Sequence, residues 1–298
     1  MAQATAFKTY DAVGDREDLT NVVATITLHQ TPLFSGLEKV KAKGTYHEWQ
    51  KDTLATGGDN AQIEGSDFTF ALASARTRVG NYTQIFEKTA EVSSTQRAVD
   101  VAGVDDELAY QVEKRMKEIA TDVEKTLITG TGNSGASGTA RRLKGFLSFI
   151  TTNVETGTGT AAHYLSETLY NNLLQTIWSA GGVPDTTYAN GFQKRQISSF
   201  STPNTRFVSM NDSETLKNTV SAYDSDFGRQ TIYLEPFMDT DKTLVIQKDM
   251  WKIAVLDPIH KEDVARIGKA TRVAMFGELT LEARNEASSG KDTNLLTS

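Results

Sequence analysis

The sequence holds four histidines, His29, His47, His163 and His260. No two stand at a helical or finger-type ligand spacing. His47 adjoins Glu48 on a stretch that reads as a strand, where consecutive side chains point to opposite faces, so the two are poorly placed for acid–base work. Each His reads as a surface or interface residue. There is no Cys, which excludes disulfides, thiolate nucleophiles and Cys-ligated zinc. Gly130-Thr-Gly132-Asn-Ser-Gly135 matches a dinucleotide fingerprint in letters. That fingerprint must follow a strand and open a helix, and here it follows a helix and opens a flexible loop. Asp224-Ser-Asp226 and Asp239-Thr-Asp241 lack the Gly and distal Glu of a calcium loop and read as turn formers. No Ser lies in a Gly-x-Ser-x-Gly elbow. Asn81-Tyr82-Thr83 matches a glycosylation acceptor, which a Cys-free chain without a signal peptide should not see used. The clusters Arg141-Arg142-Leu143-Lys144 and Lys39, Lys41, Lys43 read as solvated faces. No catalytic, cofactor or metal site emerges, so the expectation is a protein that is not an enzyme.

The surrounding elements call for neighbours. The 298 residues, 38% hydrophobic and 23% charged, suffice for a sizeable core. No run approaches the roughly 20 apolar residues of a membrane span, and no signal peptide opens the chain. A net charge of -7 argues against a dedicated nucleic-acid binder, though not against a protein that encloses nucleic acid. Residues 1–40 read as an arm, with Thr31-Pro32-Leu33-Phe34 breaking any regular element. Residues 44–88 read as a long hairpin, ascending through 45–54 and descending from Phe68 to Thr83. Gly57-Gly58-Asp59-Asn60 and Glu64-Gly65 lie between the limbs as turn formers. Neither limb has a clean apolar face, so the ribbon should rest on something else. Val104, Leu108, Val112, Met116, Ile119, Val123 and Leu127 recur every three or four residues, which predicts a helix over 104–129 with Asp105, Asp106 and Glu107 in its first turn. An α+β region follows. Its helices are expected at 167–180 and near 192–200. Its short strands are expected at 186–188, 219–223, 231–234, 243–247 and 251–256. Strict alternation over 272–284 predicts a long half-buried strand, and 287–298 reads as a polar tail.

In order, Thr31-Pro32-Leu33-Phe34, Tyr46-His47-Glu48-Trp49-Gln50-Lys51-Asp52, Ala61-Gln62-Ile63-Glu64-Gly65, Arg78 to Phe86 and the helix within Gly103–Glu124 resemble the major capsid proteins of tailed bacteriophages, in the subgroup with a His-Glu-Trp-Gln loop segment. The resemblance covers most of 20–290 and is weaker over 140–260. It implies an α+β fold of the Hong Kong 97 type. The parts would be an N-terminal arm (1–43), an extended loop (44–80), a peripheral domain (81–139) with its spine helix, an axial domain (140–262), a return strand (263–286) and a C-terminal tail (287–298). It further implies hexamers and pentamers of identical subunits in an icosahedral virion shell, assembled in the bacterial cytoplasm around double-stranded DNA without sequence-specific contact. Inter-subunit contacts are expected from Tyr46, Trp49, Lys51, Phe68, Phe70, Arg76 and Arg78. A separate scaffolding protein is expected, since no long charged helical segment precedes the arm. A portal and a decoration protein are further implied partners; no cofactor and no membrane are. Some relatives seal their shells by a Lys–Asn isopeptide bond. Lys51 and Asn60 lie on or near the loop, but no signal marks them, so sealing by non-covalent contacts or a decoration protein is expected. The rival reading is an encapsulin-like compartment enclosing cargo enzymes.

Overall fold

The structure, a computed structural model, describes residues 30–68, 70, 72, 75–99, 104, 106–156, 162–200, 221–266 and 268–297. The arm's residues 1–29, His29 among them, lie outside these, as do Asp105 and the first residues of the strand expected from 219.

The chain enters with a short helix, α1 (Pro32–Gly36), where the sequence suggested a break. Proline stands in its first turn, where a missing N–H costs nothing and the fixed φ suits a helix. A strand, β1 (Glu38–Lys41), leads to β2 (Tyr46–Lys51), and residues 52–76 separate β2 from β3 (Thr77–Tyr82). The descending limb thus begins at Thr77, later than Phe68. Then come β4 (Gln84–Ser93), a short α2 (Ser94–Ala98) and α3 (Glu107–Thr129), the spine. The spine starts three residues later than the spacing suggested. Asp106 is its N-cap, and its carboxylate accepts from the Leu108 amide. At 1.5 Å per residue the helix spans roughly 35 Å. Ile119, Val123 and Leu127 are buried as the spacing required, whereas Leu108 and Val112 are only half-buried.

The Gly-rich segment after the spine is a short hairpin, not a flexible loop. Its strands β5 (Thr131–Asn133) and β6 (Arg142–Lys144) pair antiparallel. Added Cβ atoms at Gly130 and Gly145 would lie 2.6 Å from Leu143 O and 2.5 Å from Leu127 O, so both glycines permit a close backbone crossing. The second region runs α4 (Phe146–Phe149), β7 (Val154–Glu155), α5 (Glu167–Ser179), β8 (Thr186–Ala189), α6 (Gly191–Ser198), β9 (Ala222–Ser225), β10 (Gly228–Leu234) and β11 (Thr243–Ile246). Ser166 caps α5 as expected, accepting from the Leu169 amide. Two long strands follow, β12 (Trp251–Val264) and β13 (Ala270–Ala283), then β14 (Gly290–Asp292).

These strands make two main sheets. One has the order β1-β12-β13-β4 and carries the spine helix; the other has the order β7-β14-β11-β8-β10-β9. The strand expected at 251–256 is longer and lies in the spine sheet, so the axial boundary expected at 262 falls inside β12. The polar tail is not loose over its described length. Its β14 is an interior strand of the second sheet, Ser288, Ser289 and Asp292 are buried, and Leu295 lies in a core. The first core joins the spine, its sheet and one face of the second sheet, through Ile119, Val123, Trp251, Met275, Tyr188 and Ile246. The second core lies under α5 on the other face, around Tyr170, Leu173, Ile177 and Val245. Where β12 bulges near Asp257, Gly277 crosses Ile259 so closely that an added Cβ would lie 2.8 Å from the Ile259 Cα.

Candidate assembly surface: the extended loop and its root

The β2–β3 ribbon lies on β13 and is pinned there by polar side chains. Asn81, almost wholly buried, donates to the carbonyls of Lys144 (3.0 Å) and Leu281 (2.9 Å) and accepts from the Lys144 amide at 2.8 Å. Thr280 donates to the Tyr82 carbonyl at 2.8 Å. Glu278 accepts from Thr83 and, at 2.6 Å, from Arg141. His47 Nε2 lies 2.8 Å from Glu282, whose other oxygen accepts from Arg284 at 2.7 Å. Burial pushes the Glu282 carboxyl up, but Arg284 and His47 together outweigh it and hold it below the usual range. His47 is therefore an internal fastener of its own subunit. Glu48, on the opposite face, reaches toward Arg78 at 3.8 Å, as strand alternation required.

An aromatic seam runs inward from the same root. The Trp49 ring packs on Phe149 (centroids 6.3 Å), Phe149 on Trp251 (6.1 Å), and Trp251 on Phe146 (4.4 Å). Trp49 thus spends its ring on its own chain. Tyr46 stacks on Tyr82 at 4.5 Å while remaining 43% exposed. Lys51 is half-buried, and Arg76 and Arg78 make surface ion pairs with Asp52 (3.5 Å) and Glu48 (3.8 Å) within the ribbon.

Beyond the root, the described residues of 52–76 form no helix or strand and lie exposed. Phe68 and Phe70 are 91% and 92% exposed, and Leu54, Ile63 and Leu72 are equally bare. The structure therefore divides the expected contact residues. Trp49 anchors, Tyr46 and the two arginines rim the ribbon, and Phe68 and Phe70 stand free. Isolated surface apolar residues are ordinary, but five large ones along one stretch, left uncovered by the described residues, mark a surface built to be covered. The anchoring partners Asn81–Leu281 and His47–Glu282 are far apart in sequence, so no local pattern announces them.

Among the described residues no group of three His, Asp or Glu is placed to hold a metal ion. His163 has both ring nitrogens buried, and His260 packs edge-on to Phe276 at 4.5 Å. The Asp224/Asp226 and Asp239/Asp241 pairs lie at turns, the latter bridged by Lys242 at 2.6 Å from Asp239.

A spine helix on a four-stranded sheet, a second mixed sheet and a long looped ribbon define a capsid subunit of the Hong Kong 97 type. The Cyanophage A-1(L) capsid protein superposes with a TM-score of 0.70 at 10% identity, covering 97% of this chain and 98% of that one. The SrpI encapsulin of Synechococcus elongatus superposes with a TM-score of 0.60 at 9% identity, over 96% and 94% of the two chains. Residues 2–296 match the family model of the SU10 major capsid protein, and the chain belongs to that family. It is a structural capsid protein of a phage and not an enzyme. Over 131 residues it is 36% identical to the major capsid protein of Escherichia phage Phieco32, a stretch that is 44% of this chain and 37% of that relative's length.

Proposed function

We propose that the chain is the major shell subunit of a tailed-phage head, assembling as hexamers and pentamers of an icosahedral shell that encloses double-stranded DNA. The observation that carries this reading is the loop at 52–76: anchored at its root and apolar at Leu54, Ile63, Phe68, Phe70 and Leu72, which no described residue covers. A neighbouring copy supplies the cover. Burying one such side chain stabilises by about 1.5–3 kcal/mol, and closed symmetry repeats the gain at every subunit. A separate scaffolding protein, a portal and a decoration protein complete the assembly. Sealing is non-covalent, and DNA is held without sequence readout.

Deleting residues 56–65 tests the reading. The circular dichroism spectrum should be unchanged, while electron micrographs of the variant expressed with its scaffold show few or no shells. Shell yield equal to the parent chain would sink the covering role of the loop.

The likeness to an encapsulin favours one rival, a compartment that encloses cargo enzymes. The contents of purified particles separate the two. Nuclease-resistant double-stranded DNA supports the phage head; packaged enzymes and no DNA support the compartment.

A further inference from the structure

Between α1, the spine and the second sheet lie two carboxyl groups that the assembly surface does not use. Glu124 is fully buried on the spine, and both its oxygens accept backbone amides, Leu33 N at 2.7 Å and Phe34 N at 2.7 Å. Glu235, also fully buried, follows β10, and its carboxyl faces that of Glu124 closely enough for each to shift the other. One Glu235 oxygen accepts the Phe237 amide at 3.1 Å; the other finds no ordinary donor. Two ionised carboxylates cannot share such a dry place, whereas a carboxylic acid donating to a carboxylate can. The same contact ties three distant segments together: the turn at 32–36, the middle of the spine, and the end of β10.

We propose that Glu124 and Glu235 form a one-proton latch that holds the 32–36 turn on the spine helix and lets it go when the shared proton is lost. Facing the pair, α1 contributes the two amides of Leu33 and Phe34. From β8 comes Tyr188, whose hydroxyl is pushed up, first by burial and then by Tyr233, Glu124, Glu235 and Asp185, and so stays neutral. Lys248 Nζ and the Tyr188 hydroxyl both flank Gly36. Burial, then the hydrogen bond and charge of Glu124, push the Glu235 carboxyl up to about 9. Burial also raises Glu124, opposed by Glu235 and the two amides. The docked turn thus keeps a proton that a released, hydrated pair would give up, so docking weakens as pH rises from the ordinary carboxyl value toward about 9. The latch acts within one subunit and stands whether or not shells form.

The test is amide hydrogen exchange of the peptide spanning 31–37, corrected for the intrinsic rate at each pH. In the parent chain, protection should fall about tenfold or more between neutral pH and about pH 10, while β12 peptides hold. E235Q supplies a permanent donor and should keep its neutral-pH protection throughout. E124Q offers one acceptor for two amides and should be poorly protected at every pH. A parent chain with flat protection, or an E235Q profile that tracks the parent, overturns the latch. Should E235Q fail to fold, the infrared carboxyl band of the parent chain decides. A protonated band must persist at neutral pH and vanish near about 9, apart from that of Asp292 near about 7. A band already absent at neutral pH overturns the proposal.

Discussion

Asp292 is a polar residue that the fold has drawn fully inside, where it accepts from Thr243 at 2.7 Å. Burial pushes its carboxyl up to about 7, only partly offset by that hydrogen bond. Because the folded value lies above the unfolded one, this residue costs nothing below about pH 4, and the chain loses stability as pH rises from there to about 7. Asp292→Asn should narrow the gap in melting temperature between mildly acid and mildly alkaline buffer; an equal gap in both chains would refute the assignment. Glu282 has the opposite sign. Its carboxyl is held low by Arg284 and His47 against burial, so its contribution is present above the ordinary carboxyl value and is lost as pH falls through the folded one. Glu282→Gln should cost about 1–3 kcal/mol at neutral pH, measured by urea unfolding, and less in acid. At this scale the sequence was least legible. His47 read as a surface or interface residue because its partner lies 235 positions away, beyond any local pattern. The latch residues Glu124 and Glu235 look like ordinary helix and turn acids.

Among the elements, periodic ones were legible and polar ones were not. The spine announced itself through Ile119, Val123 and Leu127, and β13 through an alternation that the structure reproduces at Val273, Met275, Leu279 and Leu281. The far half of β12 was missed because Pro258 and the run from His260 to Asp263 carry no apolar signal; its outer residues face solvent. The strand β14 was missed for a different reason. Its buried Gly290 and Asp292 are held by ladder bonds and one hydroxyl, which leave no hydrophobic trace. Stopping the chain after Ala287 removes β14 and also Ser289, which accepts from the Trp251 indole at 2.7 Å. The truncated protein should lose the near-ultraviolet dichroism of its buried tryptophan and be cut by protease within 150–250; native-like resistance would show that β14 is dispensable. At the bulge, Gly277→Ala should destabilise by about 1–3 kcal/mol in the same unfolding assay, because the clash is with the Ile259 backbone, which cannot swing aside.

Across the whole molecule, the two cores share the second sheet as a common wall, and the aromatic seam from Trp49 to Phe146 joins the loop root to the first core. Displacement of the loop by a neighbour is therefore felt in the core. Trp49→Ala should leave the subunit folded but lower the temperature at which assembled shells come apart, read by scanning calorimetry; shells as robust as the parent's would disconnect seam from assembly. The succession of ribbon, spine helix and long return strand was legible through the resemblance to phage capsid proteins. The sharing of a wall between cores was not, because it depends on which strands pair, and β14 pairs with β7 and β11, both distant in sequence.

The interior place of β14, between β7 and β11, also bears on the order of events during synthesis. A ribosome delivers residues 290–292 after the other described strands of the second sheet have emerged, so that sheet closes only once this stretch has been made. A polypeptide released early, before residue 292, carries the sticky loop at 52–76 but lacks the strand that fills the place between β7 and β11.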